Sequence, residues 1–167
     1  MHKLTGFVLI LGLSACVASP PAPTAAFRMA GAPIWSNAQL ETARLVGRWR
    51  EAAGFAPQGA TCRPGGAEIT PAPGGALRIA ARLCLAGVSE PVSGIMQPTG
   101  PGRFRVAGQE WWVIWADTDY RTLAIATPSG RFGFVLDRSA GLSADRARAA
   151  REVFEFNGYA PAAFVRY

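Results

Sequence analysis

The chain has 167 residues, half of them hydrophobic and 17% charged, with a formal net charge of +6, one histidine and three cysteines. This is the composition of a folded domain rather than of an acidic or low-complexity disordered chain. The basic balance comes from arginines scattered singly rather than in runs, which speaks against a nucleic-acid partner.

Residues 1–15 have the layout of a secretory signal peptide. Lys3 supplies the positive start, LTGFVLILGL the apolar run, and LSAC the small residues before Cys16. The apolar run falls short of the roughly 20 residues that cross a bilayer. Leu13-Ser14-Ala15-Cys16 resembles the lipobox of bacterial lipoproteins. The resemblance implies cleavage before Cys16, acylation of its thiol and, because Val17 follows instead of Asp, sorting to the outer membrane with the chain facing the periplasm. Two or more acyl chains make such anchoring stable where one is marginal. Cleavage would also remove His2 and Lys3, the only histidine and lysine. The mature chain would then have no Ser-His or Cys-His nucleophile pair and no His-ligated zinc.

Residues 16–35 are expected to be a lipidated tether, because Val17 to Phe27 is proline-rich and uncharged, the composition of an extended spacer. Residues 36–167 have the size of one domain with a core of its own. Cys62 and Cys84, an even number in an oxidising compartment, are expected to form one disulfide, the alternative being two separate buried thiols. The turn-like stretch Pro71 to Gly75 lies between them, so a hairpin folding there sets the two cysteines roughly opposite. Closing that loop would restrict the unfolded chain by about 3 kcal/mol.

Eight short strand-like runs follow, divided by Gly/Pro turns: residues 48–55, 66–72, 76–85, 90–97, 102–108, 110–116, 120–126 and 131–138. They leave no room for crossover helices, so the sheet is an antiparallel meander, a barrel or a sandwich. In the third run Leu77, Ile79, Ala81 and Leu83 alternate with Arg78 and Arg82; in the fifth, Phe104 and Val106 alternate with Arg103 and Arg105. The period of two puts the apolar set inside and the arginines outside. The four arginines form either a solvated face or a patch for anionic lipid headgroups.

WWVIWA and TLAIA are apolar on both faces and need a cover. The segment Leu142 to Tyr159 supplies it as a helix: Ser143 is the N-cap, Asp145 lies in the first turn, and Asn157-Gly158 ends it. Ala147, Ala150 and Phe154 recur at helical spacing, away from Arg146, Arg148 and Glu155. The closing AAFVRY reads as a ninth strand at an edge.

Gly47-x-Trp49 on the first strand, Thr118-Asp119-Tyr120 between the sixth and seventh, and Arg138 ending the eighth, followed by helix and short strand, resemble the three signature segments of the lipocalin family. The resemblance covers Leu40 to Tyr167 and, with the lipobox, is greatest to the bacterial outer-membrane lipocalins. It implies an all-β fold: an eight-stranded antiparallel up-and-down barrel, one C-terminal helix packed outside and a short final strand. It also implies that Trp49 closes the narrow end under Arg138, a cation–π contact of about 1 to 2 kcal/mol, with Gly47 letting the chain pass beneath. Arg50 stands where this branch carries an aromatic. Ala53, Ala81, Ala124 and Ala126 are expected on the inner wall, giving either a wide cavity or a collapsed barrel.

The function expected from this reading is binding. One hydrophobic molecule of the fatty acid or lysophospholipid class would sit in the barrel, with no cofactor and no metal. Strand parity from Arg138 puts Leu136, Phe134 and Phe132 inside and adds Leu83, Phe104, Trp111, Val113 and Trp115, as ligand contacts or as plain core. The alternative is an envelope interaction or inhibitor lipoprotein with a filled barrel. Catalysis is not expected, since Glu51, Glu110, Asp117 and Asp119 show no spacing of a coupled acid/base pair. Asp119 is expected to order its turn by side chain to backbone hydrogen bonds.

Overall fold

In a computed structural model of the chain, residues 26–139 and 141–167 are described; Cys16, the signal segment and most of the tether lie outside them. Nine strands form: β1 Gly47–Phe55, β2 Gly66–Pro71, β3 Leu77–Leu85, β4 Val88–Gly100, β5 Arg103–Val106, β6 Gln109–Ala116, β7 Thr122–Ala126, β8 Gly133–Asp137 and β9 Phe164–Arg166. One helix, α1 Ala144–Phe156, precedes β9. The strands pair in chain order from β2 to β8. β1 closes the circle by pairing with both β8 and β2, while β9 adds to the free half of β1. The result is a closed eight-stranded antiparallel barrel, with β9 outside the circle.

Each expected strand forms, with shifted ends. β4 overruns the stretch 90–97 at both ends, because its pairing with β3 continues to Ser89 and Val88 and its pairing with β5 to Gly100. β7 begins only at Thr122, because a turn built on Asp117 occupies the residues before it. The β2–β3 hairpin sets Gly66 opposite Arg82. Cys62, in the loop before β2, reaches Cys84 on β3, and the two form a disulfide with their Cα atoms 5.8 Å apart.

Two apolar clusters occupy opposite sides of the barrel wall. The inner one includes Trp49, Ile69, Ile79, Leu83, Phe104, Trp111 and Phe134. The outer one lies under α1 and includes Phe55, Ile114, Ala124, Val135, Ala150 and Phe154. The two-sided strands are therefore β6, β7 and β8, with the helix as their cover. Ser143 caps α1, its side chain accepting from the Arg146 amide, and Gly158 leaves the helix with φ +83°. Phe154 packs at 4.8 Å from the ring of Phe55 and 5.1 Å from that of Tyr159. Burying a side chain of this size contributes about 2 to 3 kcal/mol.

Three expected inner-wall alanines face the other way. Ala53, Ala124 and Ala126 belong to the outer cluster and only Ala81 packs against the inner one. Ala124 and Ala126 follow from parity, since Leu123 and Ile125 take the inner positions. Ala53 is displaced by a bulge between Glu51 and Ala53, and an added residue reverses the faces beyond it. Small outward side chains let the helix approach the sheet; they do not widen the interior. Arg146 also departs from expectation. It turns back from the helix to Asp137 at 2.7 Å and Thr122 at 2.8 Å.

Residues 26–35, expected in the tether, lie against the barrel. Phe27 donates to the Gly130 carbonyl at 2.8 Å, and its own carbonyl accepts from Ala160 at 2.8 Å. The complete closed sheet, both clusters and this strap all lie within residues 26–167, so this part carries a full fold of its own.

Candidate functional site

The narrow end is sealed by the motif residues. Gly47 has φ +128°, which favours glycine, and a Cβ there would strike the Arg138 guanidinium. Trp49 is buried and donates through Nε1 to the Leu45 carbonyl at 2.8 Å. The Arg138 guanidinium carbon lies 3.9 Å from the centre of that indole. Its Nη2 donates to the carbonyls of Arg44 (2.7 Å) and Val46 (2.9 Å), and its Nε to that of Tyr120 (3.0 Å). Burial pulls the Arg138 pKa down from its ordinary value. Tyr120 holds a positive φ of 55°, and its hydroxyl accepts from the Glu41 amide at 2.7 Å. Thr118 and Asp119 are exposed. Asp119 pairs with Arg121 at 2.9 Å. The turn is instead ordered by Asp117, whose Oδ1 accepts from the Thr122 amide. At the strand end Asp117 reaches back across the turn, while Asp119 at its tip points to solvent.

Leu83, Phe104, Trp111, Val113 and Phe134 come together in the inner cluster, as do Phe132 and Leu136. Trp111 sits edge-on to Phe134, ring centres 5.0 Å apart, and to Phe132 at 6.2 Å. Trp115 does not join them. A bulge between Val113 and Trp115 turns it to the outer cluster, so Ala116 takes the inward position. The middle of the barrel is thus filled by side chains, as an eight-stranded interior allows.

The opposite end carries a cavity of about 250 Å³. Leu85 and Phe132, both members of the inner cluster, face it, together with Phe27 of the N-terminal strap and Val88. Glu90, Gln109 and Arg131 supply polar groups. Phe27 and Arg131 escaped the sequence reading. Their signals are an aromatic ending a Pro/Ala spacer and a cation in a Pro-Ser-Gly turn, neither of which reveals a mouth until the barrel closes.

The loop over this end, between β1 and β2, contributes Pro57 to the cavity and is pinned by the Cys62–Cys84 bond. Glu51 is buried where β1 parts from β2. Its carboxylate accepts from the amides of Cys84 (2.8 Å) and Gly65 (3.1 Å), which β2 starts too late to satisfy. Burial raises the Glu51 pKa, against the lowering effect of those two amides. The Tyr167 hydroxyl is pushed up to about 12 by burial and by the Glu51 charge. Among the described residues no group of His, Cys, Asp and Glu is placed to hold a metal ion, and no helix is long and apolar enough to cross a membrane.

Residues 98–167 match the family model described as a lipocalin-like domain. No curated protein matches the chain. Among solved structures the chain is similar to lobster apocrustacyanin A1, at 15% identity and a TM-score of 0.56, over 81% of this chain and 88% of that one. The lipocalin resemblance read from the motifs is thus supported by sequence over the C-terminal part and by fold over most of the chain.

Proposed function

We propose that this lipocalin-like chain is a binding protein of the bacterial cell envelope, tethered to the outer membrane through acylated Cys16 and facing the periplasm. It takes up a small hydrophobic molecule of the fatty acid or lysophospholipid class. The observation that carries the reading is the cavity of about 250 Å³ whose floor, Leu85 and Phe132, belongs to the barrel interior and whose rim offers Arg131. A largely apolar recess whose polar groups are the Arg131 guanidinium, the Glu90 carboxylate and the Gln109 amide suits an acyl chain whose polar head bonds to Arg131.

The cavity is smaller than the usual 300 to 1,000 Å³ of ligand sites. A long chain therefore enters the barrel only if Phe132 swings away from Trp111. Binding would alter the environment of that indole. Titrating the delipidated protein with long-chain fatty acids and lysolipids while following tryptophan emission tests this; an unchanged spectrum across both series sinks it.

The filled interior also favours a second reading, an envelope interaction or inhibitor lipoprotein that works through its surface. A protein partner retained on affinity capture from envelope extracts, with no lipid seen by native mass spectrometry, selects it over the first. Neither reading involves catalysis: Glu51 is committed to backbone amides, and Asp137 is bonded to Arg146 and Thr122.

A further inference from the structure

Four large apolar side chains among the described residues are more than half exposed: Met29 at 70%, Trp35 at 58%, Val88 at 60% and Phe156 at 73%. Exposed apolar residues scattered singly are ordinary, whereas a gathered set marks an interaction surface. Three of these stand on backbone that converges on the turn ending α1. The Met29 amide donates to the Gly158 carbonyl at 2.9 Å, the Trp35 amide donates to Asn157 Oδ1 at 2.7 Å, and Phe156 precedes Asn157 in the chain. The fourth, Val88, lines the mouth cavity.

Turn and mouth are joined. Arg28 donates through Nε to the Asn157 carbonyl at 2.8 Å and through Nη1 to the Pro128 carbonyl, in the loop between β7 and β8, at 3.0 Å. Phe27 lines both the mouth cavity and the neighbouring groove of about 450 Å³ that contains Met29 and Gly158. Asn157 is itself buried, its Nδ2 donating to the Val153 carbonyl at 2.8 Å, so the turn is fixed from below.

The course of the chain indicates what covers this surface. The described residues begin at Ala26, three positions before Met29, and residues 17–25 separate Ala26 from Cys16. Whatever its conformation, a chain of that length reaches at most roughly 35 Å. A chain held by acyl groups at Cys16 therefore enters the barrel through the apolar patch itself. Tryptophan and phenylalanine are side chains suited to the boundary between lipid and water.

We infer that the mouth end of the barrel docks on the lipid bilayer through Met29, Trp35 and Phe156, with Val88 at the edge of the contact. An acyl ligand would then pass between bilayer and barrel without crossing bulk water. The inference deepens the tethered-carrier reading above and rests on it.

The test uses the chain from Val17 onward, which carries no acyl group, mixed with phosphatidylcholine vesicles. The parent protein is expected to co-sediment with them. The Met29→Ser/Trp35→Ser/Phe156→Ser variant is expected to lose at least tenfold in partitioning, while Arg50→Gln/Arg82→Gln, on the exposed face of β1 and β3, stays within twofold. Quenching of tryptophan emission by brominated lipid is expected to drop in the conservative variant Trp35→Phe, which guards against misfolding of the triple variant. A parent that ignores vesicles, a triple variant that binds as well as the parent, or quenching that Trp35→Phe leaves intact overturns the inference. So does patch-dependent self-association in place of vesicle binding. Titration with fatty acid in the absence of vesicles reports on the carrier reading separately, and the mass of Cys16 in the membrane-extracted protein reports on the tether.

Discussion

Arg138 lies over the indole of Trp49 at 3.9 Å while donating to the carbonyls of Arg44 and Val46, so one side chain joins β8, β1 and the turn before β1. Only a planar, forked cation can stack and donate sideways at once. Arg138→Met is expected to cost about 3 kcal/mol, the sum of a cation–π contact and charged hydrogen bonds. Arg138→Lys should recover only part of this, because an ammonium cannot span the same carbonyls. The midpoint of urea unfolding, at unchanged denaturant slope, measures both.

Glu51 gives the fold a pH dependence of definite sign. Burial raises its folded pKa above the ordinary 4.5, so the native state holds the proton more tightly than the unfolded chain does. Its contribution is therefore greatest below pH 4.5 and declines as the pH rises through the folded value. In Glu51→Gln the unfolding free energy should lose this downward slope, leaving a flatter profile above pH 4.5. A slope unchanged by the substitution would assign it to other groups.

The pair Arg146 and Asp137 ties α1 to the end of β8, with the Asp137 carboxylate also accepting from Thr122 Oγ1 at 2.7 Å. Removing the cation leaves a buried charge with hydroxyl and amide partners alone. Arg146→Met is therefore expected to destabilise the protein by about 3 to 5 kcal/mol. Asp137→Asn combined with Arg146→Met should cost less than Arg146→Met alone, a comparison that thermal unfolding provides.

At the mouth, Arg131 is the cation available to an anionic head group. Arg131→Gln is expected to weaken binding of a long-chain fatty acid about tenfold, the worth of one charged hydrogen bond. The alcohol of the same chain length should bind both proteins equally. Equal losses for acid and alcohol would place the head group elsewhere.

Much of this architecture is legible from the amino-acid order alone, because it rests on local periodicities. The alternation in LRIAARL and RFRV sets faces of strands, the glycines and prolines place the turns, and Ser143 with Asn157-Gly158 marks both ends of the helix. The stacked plug was implied by the family resemblance that Gly47, Trp49 and Arg138 carry, not by their spacing alone. The cysteine spacing anticipated the bond between Cys62 and Cys84.

What only the tertiary structure decided begins where a single extra residue interrupts the count. The bulges at 51–53 and 113–115 reverse the faces of Ala53 and Trp115, and no propensity marks such a residue, because its cost and benefit lie in the partner strand. The mouth is likewise a product of closure. Phe27, Arg131 and the hairpin pair Leu85 and Val88 come from three separate stretches, and meet only because β1 pairs with both of its neighbours and the N-terminal strap returns across the helix turn. Local sequence sets which way each short segment faces; the long-range pairings that bring distant segments together determine where the barrel opens.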